Sequence, residues 1–283
     1  MRLAAIGGAV LMISTWGLGL NAQSNAQSGD KAAAQSAPGG QAAAPAGKRR
    51  PMAKTQEEFA AFNAANALTD AAAQEKAAND FAVKFPDSEL RVLIYKSVMH
   101  GYQQANNLDK MMEMSQKVLG YDADDPEALI IAAQVLAERT RDTDLDKADR
   151  LAEARKDAQR ALVTVDTDVP SAGYAPEQLT AYKSFIRSEA YEISGTLDYN
   201  AKAWGDAETN LKKSIEAYPQ QVDPIAVFRL SVALDMQNKY PEALKYANQA
   251  VDSTKEGTPA GDAARKEKDR LTQLTGSGAP PAK

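Results

Sequence analysis

Apolar residues in the central part of the chain recur at spacings of three, one and three, and whole sets of them return at a fixed interval. Ala61, Ala64, Ala65 and Leu68 are followed 34 residues later by Tyr95, Val98, Met99 and Tyr102, and after the same interval by Leu129, Ala132, Ala133 and Leu136. Such spacing places each set on one face of a helix. A second helical face follows each first one, since Ala77 and Phe81 are matched by Met111 and, more weakly, Ser115. Toward the C-terminus the interval becomes 36: Tyr191, Ser194 and Gly195 correspond to Val227, Leu230 and Ser231. At that interval Trp204, Ala207, Ser214 and Ile215 correspond to Tyr240, Ala243, Ala250 and Val251. The pattern predicts an all-α chain of amphipathic helix pairs. One pair cannot bury its apolar face alone, whereas stacked neighbours can. Small residues at fixed places then let helix axes approach closely, with Ala207 and Ala243 at contacts within a pair and Gly195 and Ser231 at the matching places in the preceding helices.

The fourth unit carries Tyr191, Gly195, Trp204, Ala207, Leu211 and Pro219 where the tetratricopeptide repeat family places an aromatic, a glycine, an aromatic, an alanine, a large apolar residue and a closing proline. The fifth offers Val227, Ser231, Leu234, Tyr240, Ala243 and Ala250, and the first Ala65, Ala77, Phe81 and an early Pro86. From about Gln56 to Gly257 the chain resembles that family. The resemblance implies a tetratricopeptide-like α-solenoid of about five antiparallel helix pairs plus a C-terminal capping helix. It also implies that the first helices line a concave surface suited to an extended peptide or a partner helix. By carry-over the exposed positions there are Lys96, His100, Gln103, Gln134, Glu192, Tyr199, Phe228, Arg229, Val232 and Asp235. Chaperone-binding members of the family hold a C-terminal carboxylate with Lys, Arg and Asn side chains, and only Lys96 and Arg229 stand at comparable places. For Phe228 and Val232 packing against the terminal cap is an equal reading.

The repeat domain is expected over 55–275, with irregularities in its middle. The third unit begins near Pro126 and its turn is stretched by RTRDTDLD; VDTDVPSAGYAP then marks an inserted loop or subarray boundary at 164–175. A longer helix is expected from Pro176. Asp262 to Leu274 is charged on most faces, with Ala263, Ala264, Leu271 and Leu274 as an apolar minority, which suits a solvated cap. Residues 1–26 read as an export signal: Met1 and Arg2, an apolar run from Leu3 to Leu20, and Ser24-Asn25-Ala26 as a small-x-small cleavage site, with cleavage after Ala22 also allowed. Two readings stay open, a cleaved signal of a periplasmic or secreted protein and an uncleaved membrane anchor holding the repeats outside the cytoplasm. Residues 27–54, rich in Ala, Gln, Ser, Gly and Pro, read as a flexible linker, and 276–283 as a flexible tail.

Chemistry adds exclusions. A formal net charge of −5 with mixed signs, and Lys48-Arg49-Arg50 as the only basic cluster, give no field for nucleic acid. There is no cysteine and one histidine, His100, so neither a disulfide framework nor a zinc cluster is expected. No phosphate-binding glycine loop or G-x-S-x-G elbow occurs, and no catalytic residue, cofactor or metal is assigned. In DTDLDKADRLAE, Asp142, Asp144, Asp146 and Glu153 have the spacing of a calcium loop, but Lys147 stands where the sharp turn needs glycine. These acids read instead as the start of a helix near Leu145. The methionines of KMMEMSQ, with Met99 and His100 one helix earlier, read as adaptable core filling rather than a soft-metal site. The function expected is a non-enzymatic scaffold of the bacterial envelope that binds a peptide or partner protein on its concave face. The second reading is an exported small-molecule or calcium-binding protein using the acidic turn 142–153.

Overall fold

The computed structural model describes residues 48–276. The export signal, most of the linker and nearly all of the C-terminal tail lie outside the described residues. Among the described residues there are eleven helices and no strand. The first helices of five pairs are α1 (Gln56–Asn66), α3 (Leu90–Gln104), α5 (Pro126–Arg139), α7 (Pro176–Asn200) and α9 (Pro224–Asp235). The second helices are α2 (Ala71–Lys84), α4 (Leu108–Tyr121), α6 (Lys147–Thr164), α8 (Trp204–Ala217) and α10 (Tyr240–Ser253). The last helix, α11 (Pro259–Gly276), packs on α10 and α9. Each helix packs on its neighbours in the chain, and α1 on α3, α5 on α7 and α7 on α9 as well. The array is thus an α-solenoid of antiparallel pairs with a capping helix, and the face formed by its first helices is called the inner side.

Local signals set the helix boundaries. Thr55, Asp70, Asn107, Asp125 and Asp223 each accept a backbone N–H of the first turn, and proline follows directly at Pro126 and Pro224. Asn106, Lys202 and Asn238 lie two residues before α4, α8 and α10 with φ of 54°, 60° and 59°. The tight turn inside these pairs therefore reverses through one left-handed residue, a conformation asparagine tolerates better than lysine.

The small residues lie where axes meet. A Cβ built on Gly195 would come within 2.7 Å of Leu211 Cγ and 3.1 Å of its backbone nitrogen. Ala207, Ala243 and Leu211 are wholly buried, and Ser231 Oγ donates to the Ala243 carbonyl across the α9–α10 contact at 2.9 Å. Helix α5 explains how the pairs become one body. Its Ala128, Ile131 and Val135 join the core of α1 to α4, while Leu129, Ile130 and Ala133 join the core of α6 and α7. A helix buried on two faces needs apolar residues around most of its circumference, as PEALIIAAQVLAER supplies.

Three expectations are corrected. In burial the first step of the repeat is 37 residues, since Phe62 and Ala65 correspond to Met99 and Tyr102, although α1 and α3 start 34 residues apart. In the 34-residue register Ala64 and Leu68 would be core; they are exposed, and Glu58, Phe62 and Ala65 are buried, because α1 ends before Leu68. The folded body also begins earlier than residue 55, since Ala53 packs on the first core and Lys48 and Arg49 pair with carboxylates of the array. Finally, the segment at 164–175 is more than a boundary: Val165 and Val169 are buried in the core of α5, α6 and α7. The turn at 140–146 is stretched as expected, although α6 begins at Lys147.

Candidate functional site

The residues expected on the inner face separate into three groups. Lys96 and His100, one turn apart on α3, face the start of α5. Asp125 caps α5 through Oδ1, and its Oδ2 accepts from Lys96 Nζ at 2.8 Å. Lys96 Nζ also lies 2.9 Å from Glu127 Oε2, and His100 Nε2 lies 2.5 Å from Glu127 Oε1. Tyr182 of α7 donates to Glu127 Oε2 at 2.8 Å and stacks on Tyr174, ring centres 5.8 Å apart. Burial alone would raise the Glu127 pKa, but Lys96 and His100 outweigh it and hold the carboxyl well below its usual range. Burial likewise opposes the charge on Lys96, yet Asp125 and Glu127 keep its ammonium pKa well above the ordinary value. Every charge here has a partner, so the network staples three successive pairs together. Gln103 is half-buried a turn further along α3.

In the middle of the array acid exceeds base. Gln134, expected to be exposed, is buried on α5 and donates to Glu138 at 3.1 Å. Glu192 on α7 lies beside Asp223, the N-cap of α9. Burial pushes Glu189, one turn before it, up to about 7, with Asp223 adding to the effect. Burial, then Glu189 and Asp223, hold Glu192 well above the usual carboxylate range, with Arg229 pulling the other way. Arg229 is the cation of this group and donates to Thr196 Oγ1 at 2.9 Å. Burial raises Glu138 as well, against the pull of Gln134 and Arg229.

The third group belongs largely to the cap. Phe228 is half-buried against Val227, Ala250 and Ala264, the last from α11. Asp235 is ion-paired with Arg270 of α11. Tyr199 meets Trp204 edge to face at 5.6 Å, and Val232, half-buried one turn after Arg229 on α9, shares the face of that residue instead of joining the cap. The family carry-over treats these as groove positions; the terminal helix covers Phe228 and engages Asp235 because α9 has no further pair to stack on.

No family model matches the chain, and neither does any curated protein. Among solved structures it is similar to the assembly chaperone of RpL4 (Acl4), at 11% identity and a TM-score of 0.42, covering 80% of this chain and 99% of that one. The helix-pair architecture stands on the packing described above, independently of this likeness.

Other candidates dissolve into ordinary structure. Lys147 Nζ donates to Asp142 at 2.7 Å, and Arg150 lies 3.6 Å from Asp144, so the acidic turn is answered by its own helix. Among the described residues no group of three or more His, Cys, Asp or Glu is arranged to hold a metal ion. Met99, Met111 and Met114 are core residues, and His100 faces Glu127 instead of their sulfurs. No described helix is long and apolar enough to cross a membrane.

The partners Glu127, Tyr182, Glu138, Glu189 and Asp223 were not among the residues expected at the site. The start near Pro126 is visible in sequence, and nothing local shows that the caps Asp125 and Asp223 also face the inner side.

Proposed function

We propose that the chain is a non-enzymatic scaffold that binds an extended protein segment along the inner face of its helical repeats. The observation that carries this reading is the imbalance between α5, α7 and α9. Glu138 and Glu192 share Arg229, Glu189 and Asp223 add further acid beside Glu192, and Glu138, Glu189 and Glu192 are pushed up in pKa by burial. Partly buried carboxyls held against their charge favour a ligand that brings positive charge to them. A cationic segment laid across α5, α7 and α9 would meet that need, and half-buried Val232 offers it an apolar contact.

The array belongs in this reading to the tetratricopeptide repeat family, supported by Gly195, Trp204, Ala207 and Pro219 in the fourth unit. Its place is the bacterial envelope, reached through the export signal at 1–26, either cleaved or kept as an anchor. Mass determination of the exported chain tests the setting: a new N-terminus after Ala26 or Ala22 supports a signal peptide, an intact Met1 in the membrane fraction supports an anchor, and retention in the cytoplasm refutes both. Binding is tested by recovering crosslinked partners from native cells. The partner is expected to be lost on Glu192→Lys with Arg229→Glu, a charge-conserving swap, and equal recovery with the variant would refute the assignment.

A further inference from the structure

Residues Lys48 to Lys54, ahead of the Thr55 cap of α1, form a strap without regular secondary structure. Lys54 N–H donates to Glu58 Oε2 at 2.6 Å, and the buried Glu58 carboxylate also accepts from Ser88. Ala53 packs on the core of the first pairs. Met52 N–H donates to Glu89 Oε2 at 3.3 Å, and Arg49 grips the same carboxylate with both terminal nitrogens, Nη1 at 2.8 Å from Oε2. Lys48 Nζ donates to Asp122 at 2.6 Å and lies 3.4 Å from Asp168, while its backbone N–H donates to the Thr167 carbonyl at 2.9 Å. Glu89 precedes α3, Asp122 lies in the turn before α5, and Asp168 in the loop before α7. The strap therefore runs opposite to the array, along the starts of three successive first helices, and ends beside the core loop that carries Val169. Lys48 and Arg49 of the basic cluster thus sit on one carboxylate in each of the first three inter-pair loops.

From this we infer a second binding track, distinct from the inner-face group of Glu192 and Arg229: the row Glu89, Asp122, Asp168 and the Thr167 carbonyl receives an extended peptide bearing consecutive Lys or Arg residues. The segment Lys48–Lys54 is its tethered occupant. Its cations stay in solvent, Arg49 at 68% and Lys48 at 39% exposed, against the partly covered carboxylates of Asp122 and Asp168, so the pairs are screened and the strap is exchangeable. Tethering supplies an effective concentration on the order of millimolar, and a partner's basic segment must compete against it. The strap thus selects for partners that are multivalent or locally concentrated. Acidic side chains in three separate loops meet consecutive cations of the peptide, Asp122 and Asp168 sharing one and Glu89 taking the next, and the Thr167 carbonyl and Glu89 carboxylate accept its backbone N–H groups and fix its register.

The test uses the full chain and a labelled synthetic peptide of its own residues Lys48 to Thr55. Against the wild type, where the track is filled, binding is expected to be weak. Against Lys48→Glu/Arg49→Glu, which frees the track and leaves its carboxylates intact, binding should tighten at least tenfold and weaken between 50 and 200 mM salt. Adding Asp122→Asn, Asp168→Asn and Glu89→Gln should abolish it, with the melting curve of each variant as a folding control. Equal binding to wild type and strap variant, no binding to either, or binding that survives loss of the carboxylates would each overturn the inference. Amide exchange gives a measurement free of variants: the Lys48 and Met52 N–H groups of the wild type should be protected, and exchange at the rate of an open chain would refute the strap itself. Because Glu192 and Arg229 take no part, failure here leaves the inner-face proposal standing, and the reverse holds.

Discussion

Glycine shows at the residue scale how the stacking is enforced. Gly195 is helical, so replacing it by alanine would ordinarily gain about 1 kcal/mol in helix propensity. Here the new methyl group meets Leu211 at 2.7 Å from Cγ and 3.1 Å from a backbone nitrogen that cannot retreat. Overpacking of this kind costs about 1–3 kcal/mol. The balance for Gly195→Ala is a net loss of about 1 kcal/mol, readable as a lower urea midpoint. Gly205, in the first turn of α8, has nothing within 4 Å of its missing Cβ. Gly205→Ala should therefore stabilise by up to about 0.5–1 kcal/mol. Equal signs for the two substitutions would refute the close α7–α8 approach. This contact was legible beforehand, because a small residue inside an apolar periodicity marks a place too close for a larger side chain. The strap was not. Lys48-Arg49-Arg50 stands out in sequence, but its carboxylate partners lie in three loops, and the surrounding Ala- and Gln-rich composition reads as linker.

At the scale of elements, the α7–α9 junction is predicted to respond to pH. A carboxyl whose folded pKa is raised resists ionisation more in the folded than in the unfolded chain. For Glu189, with a folded value of about 7, the penalty is absent below about 4.5, grows as pH rises and is complete above about 7. Glu192 adds to it in the same direction. Glu189→Gln/Glu192→Gln should therefore melt higher than wild type at pH 8 and nearly alike at pH 4.5. The gap should reach several degrees, since 1 kcal/mol moves Tm by about 2–4 °C in a chain of 150–250 residues. The opposite case is Glu208, which burial would raise but Lys212, Lys239 and Gln237 hold down at about 2. Its contribution is present above about 4.5 and lost as pH falls toward 2. A gap of constant size from pH 4.5 to 8 would contradict the junction's electrostatics. The helices themselves were legible, including the start near Pro126, the stretched turn before α6, the long α7 and the terminal cap. The 37-residue first step was not, because an insertion in a turn moves the register without altering the periodicity on either side. Nor was the joining of Lys96, Glu127 and Tyr182, whose contacts cross three units.

The molecule as a whole is a row of pairs in which each first helix serves two interfaces, toward its own second helix and toward the next pair. Stability in such a row is a sum of nearest-neighbour contacts, so polar groups on the inner side can be held against their ordinary pKa without unfolding the array. The two ends differ in use. In the N-terminal half Lys96, His100, Glu127 and Tyr182 are mutually satisfied and the strap lies along the helix starts. Further along, between α5, α7 and α9, carboxyls outnumber cations, and there the proposed partner segment binds. A photocrosslinking residue placed at Val232 on that face, and separately at Val163 on the outer helix α6, where the side chain is 73% exposed, asks directly which side meets a partner. Protein adducts formed in native cells from Val232 and absent from Val163 are the expected result. Adducts from Val163 with none from Val232 would contradict binding on the inner face.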